Sequence, residues 1–129
     1  MREKLINAKF CANDFRESEE ERISNIKRVY KSVAEGCIEL QNKLGTYEDN
    51  RSERYKENED KIKEILKEAP KAETIASILE DIELDPTEFF TVYSEEKIAD
   101  AVVYAKDLKD RYTVLWMYYD VLGKEPLDA

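Results

Sequence analysis

The residues of this chain with a capacity for chemistry are thirty carboxylates and two thiols, because its 129 residues include no histidine. Without histidine the chain lacks the commonest general base, the Ser-His and Cys-His nucleophile pairs, and the commonest zinc or iron ligand. Two carboxylates that share a pocket can still catalyse proton transfer or bind a hard cation. Among thirty acids, however, spacing singles out no such pair. We therefore predict no catalytic residue.

Motifs for nucleotide or metal binding are also missing from the sequence. Gly36, Gly45 and Gly123 are isolated, so the chain has no glycine-rich phosphate loop and no Rossmann-type site of its own. Cys11 and Cys37 do not have the spacing of a metal or redox motif. We expect both to be free thiols, with Cys37 buried as a small apolar residue. The sequence thus predicts no cofactor and no metal ligand, and no activity from this chain alone.

The charge balance argues against two classes of partner. Lys and Arg number 21 and Asp and Glu number 30, which gives a net charge of −9. Nucleic acids and anionic membrane surfaces are bound by clustered cations, so neither is an expected partner. No segment approaches the roughly 20 apolar residues of a membrane helix, and the N-terminus lacks the apolar run of a signal peptide. We predict a cytoplasmic protein.

An aromatic cluster near the end of the chain is the strongest local feature. In "YAKDLKDRYTVLWMYYD", Tyr112, Trp116 and Tyr119 fall on one face of a predicted helix. A helix that is apolar nearly all round is typical of a buried central helix, whereas Tyr and Trp are also favoured at interfaces. These three residues are the candidate partner-facing side chains, and their burial in the core is the alternative interpretation.

Asp107 and Arg111, just before the aromatic cluster, have the spacing of a helical ion pair, and Asp110 could instead cap the final helix.

The elements that must position these residues are helices. Apolar residues recur at intervals of three and four and never alternate over the length of a strand, which predicts an all-α bundle of five to six helices. The clearest helix begins at Ser18, whose spacing from Glu21 matches a capping box, and ends at Gly45. It carries a heptad stripe: Ile23, Ile26, Tyr30, Val33, Cys37, Leu40 and Leu44. The stripe predicts either packing within a bundle or an intermolecular coiled coil.

The remaining helices follow from caps and shorter apolar faces. A polar helix with a narrow apolar face ends at Pro70 and is followed by one whose Ile75, Ile78, Leu79 and Ile82 should point inward. Asp85 should cap a short helix that anchors Phe89 and Phe90 in the core, and Ser94 should cap the next helix. The last helix should run from Asp110 to Leu122. We predict a single domain over residues 1–129, with an N-terminal helical arm (1–17), a bundle (18–122) and a frayed tail (123–129).

Two segments resemble a known family. "ILKEAPKAETIASILEDIELDP" and "EEKIADAVVYAKDLKDRYTVLWMYYDVLG" are similar to the C-terminal helical region of bacterial sn-glycerol-1-phosphate dehydrogenases, in the iron-containing alcohol dehydrogenase and glycerol dehydrogenase superfamily. The similarity covers about residues 40–129 and is strongest over 63–122. It implies a helical domain that, in the family, accompanies a nucleotide-binding domain and holds a metal through one Asp and two His. Because this chain has no His and no nucleotide-binding half, none of those site residues can be carried over.

Three functions are compatible with these observations. The resemblance implies a non-catalytic domain that acts as a scaffold or complements a nucleotide-binding dehydrogenase half within an NAD(P)-dependent polyol-phosphate dehydrogenase. The alternative is a stand-alone helical protein–protein interaction module, which could self-associate through the Ile23–Leu44 stripe or the Trp116 face. The third is a carboxylate-rich metal-binding bundle, which the absence of His and of Glu-x-x-His pairs disfavours.

Overall fold

The computed structural model describes residues 1–11 and 16–124, and within these ranges the chain contains helices and no strand. The all-α prediction is therefore confirmed. The helices are α1 (Arg2–Asn7), α2 (Glu19–Tyr30), α3 (Ala34–Leu44), α4 (Ser52–Glu57), α5 (Glu59–Glu68), α6 (Ala72–Asp81), α7 (Thr87–Val92), α8 (Glu95–Tyr104) and α9 (Val114–Leu122). Short 3₁₀ turns cover Lys31–Val33 and Ala105–Leu108. The α-helices are more numerous than the five to six predicted, because breaks divide the longer helices.

The helix ends predicted at Ser18, Ser94 and Gly45 are present, whereas Asp85, which accepts from the Thr87 N–H, lies one residue before the N-cap Pro86 of α7. Ser18 accepts a hydrogen bond from the Glu21 N–H, and the Glu21 carboxylate accepts one from the Ser18 N–H, which completes the capping box. Ser94 caps α8 through the Lys97 N–H. Gly45 follows α3 with φ of 62°, in the left-handed region that favours glycine at a helix C-terminus. Local polar chemistry thus fixes these three helix ends.

The prediction of one continuous helix from Ser18 to Gly45 is wrong, because the chain breaks at Lys31. Lys31 has φ of 49° and ψ of −115°, which no helix accommodates, and α2 and α3 pack against each other on either side of it. Ile26 and Cys37 of the heptad stripe are consequently buried in one cluster with residues of α8 and α9, among them Val103 and Tyr119. Much of the stripe is therefore covered by the chain itself rather than left for a coiled-coil partner.

The N-terminal segment packs onto the body of the molecule. Leu5 and Phe10 are fully buried, and α1 lies against α5. The Lys63 ammonium donates to the Ala8 carbonyl oxygen at 2.6 Å and pairs with the Glu59 carboxylate at 2.6 Å. Glu59 and Lys63 lie on the same face of α5, because they are four residues apart in the helix. Apolar burial and these bonds tie the first residues to α5.

Helices α6 and α7 are the exception to this packing. All residues from 72 to 93 are exposed except Leu79, which is partly buried. The predictions that Ile75, Ile78 and Ile82 point inward and that Phe89 and Phe90 anchor in the core are therefore wrong. Within residues 1–11 and 16–124, neither helix packs extensively on another element, so their apolar side chains remain largely exposed. We call residues 72–93 the exposed helix pair.

The end of the chain also differs from the prediction. The last helix begins at Val114 rather than Asp110, and Thr113 occupies the position before it. Asp107 pairs with Lys106 instead of Arg111, because a 3₁₀ turn and a loop replace the continuous helix that an i,i+4 pair needs. Of the predicted frayed tail, only residues 123–124 are described, and 125–129 lie outside the described residues.

Candidate interaction surface

The three candidate aromatic residues occupy different environments. Trp116 is 1% exposed and Tyr119 is 2% exposed, whereas Tyr112 is 52% exposed. The Trp116 ring lies edge-on to the Tyr47 ring at 4.9 Å between centroids. Burial raises the pKa of the Tyr119 hydroxyl to about 12. In this conformation only Tyr112 presents its ring to a partner, because this chain's own residues cover the other two.

A buried ion pair lies against this aromatic cluster. The Lys106 ammonium contacts the Asp107 carboxylate at 2.8 Å and lies 4.1 Å from the centroid of the Tyr119 ring. Tyr47 donates to Asp107 at 2.6 Å and accepts from Lys106 at 2.9 Å. Burial lowers the pKa of Lys106, and the Asp107 carboxylate partly offsets that effect. Each charge is paired and shielded from solvent, so removal of either member would leave an uncompensated charge in the interior.

A second buried carboxylate joins three parts of the chain. Asp120 of α9 accepts from Arg51 Nε at 2.7 Å, from Arg16 Nη2 at 2.9 Å and from the Tyr55 hydroxyl at 2.8 Å. Tyr55 also hydrogen-bonds to the Tyr112 hydroxyl. These bonds hold the segment before α2, the start of α4 and the last helix together. No sequence pattern predicts this cluster, because its members are remote from one another along the chain.

Glu17 forms a third polar cluster beside the core. Its carboxylate accepts from Tyr104 at 2.9 Å and Asn25 at 2.8 Å, and pairs with Lys124 at 2.6 Å. Burial on its own would raise the pKa of Glu17, but the hydrogen bonds from Lys124, Tyr104 and Asn25 outweigh it and lower the pKa. This group stays ionised in the folded protein and is likewise committed to structure.

A cleft of about 690 Å³ opens beside these clusters. Its lining comes from the end of α3, from α4 and α5, and from the loop that leads into α9. Five cationic and two acidic side chains line it, together with Trp116, Met117 and apolar residues of α3 and α5. Arg51 and Arg54 are paired with Asp120 and Asp49 respectively. The other three cations, namely Lys61, Lys109 and Arg111, have no ion-pair partner within residues 1–11 and 16–124.

The exposed helix pair carries the largest concentration of exposed apolar side chains in the described ranges. Eight large apolar residues of the pair are exposed by 45% to 68%: Ile75, Ile78, Ile82, Leu84, Phe89, Phe90, Val92 and Tyr93. At roughly 200 Å² for a fully exposed side chain of this size, they present on the order of 800 Å² of mainly apolar surface. The largest such patch on a monomeric protein is about 300–600 Å². The summed area of the eight side chains is larger than this range for a single patch.

The helix pair is also strongly acidic. Residues 72–93 contain six Asp or Glu and no Lys or Arg, so they account for most of the chain's net charge of −9. The six acids are Glu73, Glu80, Asp81, Glu83, Asp85 and Glu88. An apolar face within an acidic border is complementary to an apolar surface with a basic border. Sequence periodicity found the apolar face of α6, but periodicity does not say what covers it.

The described part of the chain lacks two other kinds of site. No three His, Cys, Asp or Glu side chains in residues 1–11 and 16–124 cluster in a way that could hold a metal ion. Over the same residues, no helix combines the length and the apolar character needed to cross a bilayer. Cys11 is exposed and Cys37 is buried, and both are free thiols. The helix pair and the cleft are therefore the candidate interaction surfaces of the described residues.

No protein-family model, curated protein or solved structure matches this chain. The similarity to glycerol-1-phosphate dehydrogenases consequently stays a prediction that depends on the two sequence segments alone. The same holds for a role as a scaffold or as the complement of a nucleotide-binding dehydrogenase half.

Proposed function

We propose that this chain is a helical protein–protein interaction module whose contact surface is the exposed helix pair. The observation that carries the proposal is that eight large apolar side chains of the exposed helix pair are 45% to 68% exposed, while neither α6 nor α7 packs extensively on another element within residues 1–11 and 16–124. A standard protein interface buries about 800 Å² on each partner, which is close to the surface that these side chains present. Burial of this surface against a partner would stabilise the complex through the hydrophobic effect.

The partner surface that fits is apolar with a border of Lys and Arg. The segment that carries these apolar residues also holds six acidic side chains and no cation, so a basic border on the partner would pair with them. An acidic partner would be repelled, and a purely polar one would leave the apolar side chains in water. Phe89, Phe90 and Tyr93 are the expected anchors, because aromatic side chains dominate interface energetics, and the Phe89 ring contacts both of the others.

A model peptide tests the proposal directly. The probe is a fluorescently labelled amphipathic helix with leucines on one face and lysines on the other, and its anisotropy is followed as protein is added. We expect binding that the double substitution Phe89→Ser and Phe90→Ser weakens about tenfold or more, since loss of an interface anchor costs about 1–2 kcal/mol or more. Val33→Ser, at an apolar residue exposed outside the helix pair, is the matched control and should leave binding unchanged.

Two results would contradict the proposal. One is a failure of the leucine–lysine peptide to bind. The other is equal binding by the wild type and the double Phe variant, which would locate the contact elsewhere. A leucine–glutamate peptide of the same pattern should show no binding that the double Phe substitution weakens, because its charges repel the acidic side chains of the helix pair.

A further inference from the structure

The cleft described above has the chemistry that the exposed helix pair requires. It has an apolar lining that includes Ile62, Ile65 and Met117, and its cations outnumber its acids by five to two. Lys61, Lys109 and Arg111 are not engaged in ion pairs within the described part of the chain. Their charges are therefore available to carboxylates brought by another molecule.

The remaining exposed apolar side chains are concentrated at the same cleft. Of the fourteen large apolar residues that are exposed within the described ranges, eight lie on the helix pair and three line the cleft, namely Leu44, Ile65 and Tyr112. Only three lie outside these two surfaces. One molecule thus exposes two apolar surfaces of opposite charge, which is the arrangement expected of surfaces that bind each other.

We propose that the exposed helix pair of one molecule occupies the cleft of a second copy of this chain. The inference rests on the proposed function, for which it names the partner. Direct contact between two helix pairs is disfavoured, because it would bring six acids against six acids. Contact between helix pair and cleft joins negative to positive charge and covers both apolar surfaces. A reciprocal exchange between two copies closes a dimer, and contact in one direction only builds a longer assembly.

The test uses two variants of the full chain, each with one surface removed. The first carries Phe89→Ser and Phe90→Ser, which disable the helix pair and leave the cleft intact. The second carries Lys109→Glu and Arg111→Glu, which reverse two charges of the cleft and leave the helix pair intact. All four residues are exposed, so neither variant disturbs the core.

Mass is measured by sedimentation velocity over a dilution series. We expect the wild type to associate as its concentration rises, each variant alone to remain a monomer over the same range, and the equimolar mixture to form a one-to-one dimer. The mixture restores one native contact, because the second variant supplies the helix pair and the first supplies the cleft. Val33→Ser should associate as the wild type does.

Several results overturn the inference. They are a wild type that remains monomeric throughout, a cleft variant that still associates alone, or a mixture that stays monomeric. If the leucine–lysine peptide nevertheless binds the helix pair, the proposed function stands and only the identity of the partner is wrong. If the peptide also fails to bind, the proposed function falls together with the inference.

Discussion

At the level of single residues, the interior of this molecule depends on charged groups as much as on apolar ones. Lys106, Asp107, Asp120 and Arg51 are all buried, and each has an ion-pair partner. A buried pair is weak evidence for net stability, since desolvation opposes the attraction between its charges. Removing one member is costly, because the other charge is left buried and unpaired.

Asp120→Asn should therefore destabilise the fold strongly. Asp120 accepts hydrogen bonds from Arg51, Arg16 and Tyr55, and the neutral amide leaves the buried Arg51 guanidinium with only the more distant, exposed Asp49 carboxylate at 3.6 Å. We expect a loss of about 3–5 kcal/mol in the free energy of unfolding, measured by urea denaturation. The control is Glu64→Gln, which removes an exposed pair with Lys67 and should cost about 0–1 kcal/mol. Equal effects of the two substitutions would show that the Asp120 cluster contributes nothing beyond a surface pair.

Glu17 should make the stability of the fold depend on pH. Its pKa is lowered in the folded protein from the ordinary value of 4.5, so ionised Glu17 favours the folded state. That contribution is fully present above pH 4.5 and is lost as the pH falls through the lower folded value. The difference in free energy of unfolding between neutral and acidic pH should be smaller in Glu17→Gln than in the wild type. Identical pH profiles for the two proteins would be incompatible with this role, and Glu64→Gln controls for the loss of one carboxylate.

At the level of the helices, the sequence patterns predicted where capped helices end better than where a long helix is interrupted. The caps at Ser18, Ser94 and Gly45 involve neighbouring residues, so their patterns can be recognised locally. Neither glycine nor proline marks the break at Lys31, so no local sequence pattern predicts it. The break accompanies the packing of α2 against α3. The exposure of α6 and α7 could not be predicted either, since an apolar face looks the same whether this chain or another covers it.

The helix pair should be the least protected helical part of the monomer. α6 has 10 residues and α7 has 6, and helices shorter than about 12–15 residues are marginal in water without tertiary packing. In the monomeric cleft variant, amides of residues 72–93 should exchange with deuterium faster than those of α9, as mass spectrometry of peptides would show. In the associated wild type the same amides should become protected. Equal exchange of the pair in the two proteins would mean that association leaves it uncovered.

At the level of the whole molecule, charge is unevenly distributed. The helix pair holds six acids and no cation, whereas cations outnumber acids around the cleft. The composition predicted an acidic protein without a nucleic-acid partner, but a net charge says nothing about where the charges lie. The spatial separation of opposite charges, which supports the proposed self-association, emerges only when the helices are placed. The candidate residues Tyr112 and Trp116 do line the cleft, although Trp116 is buried at its base.

Association of the wild type should weaken as salt is added. The distance over which exposed charges act falls from about 30 Å at 0.01 M salt to about 3 Å at 1 M, so attraction between the acidic pair and the basic cleft is screened. Sedimentation at a fixed protein concentration should show a shift toward monomer at intermediate salt. Association that strengthens steadily with salt would indicate a contact made by apolar surface alone.

The position of the exposed helix pair has a consequence for proteolysis. The pair separates α1–α5 from α8 and α9, yet α8 packs on α2, and Asp120 holds Arg16 and Arg51. Exposed segments with little packing are where proteases cut first. A cut between α6 and α7 should therefore leave two fragments that stay joined without a covalent link, each of which keeps one helix of the contact surface. A single cleavage should thus weaken binding through the exposed helix pair while the rest of the chain remains folded.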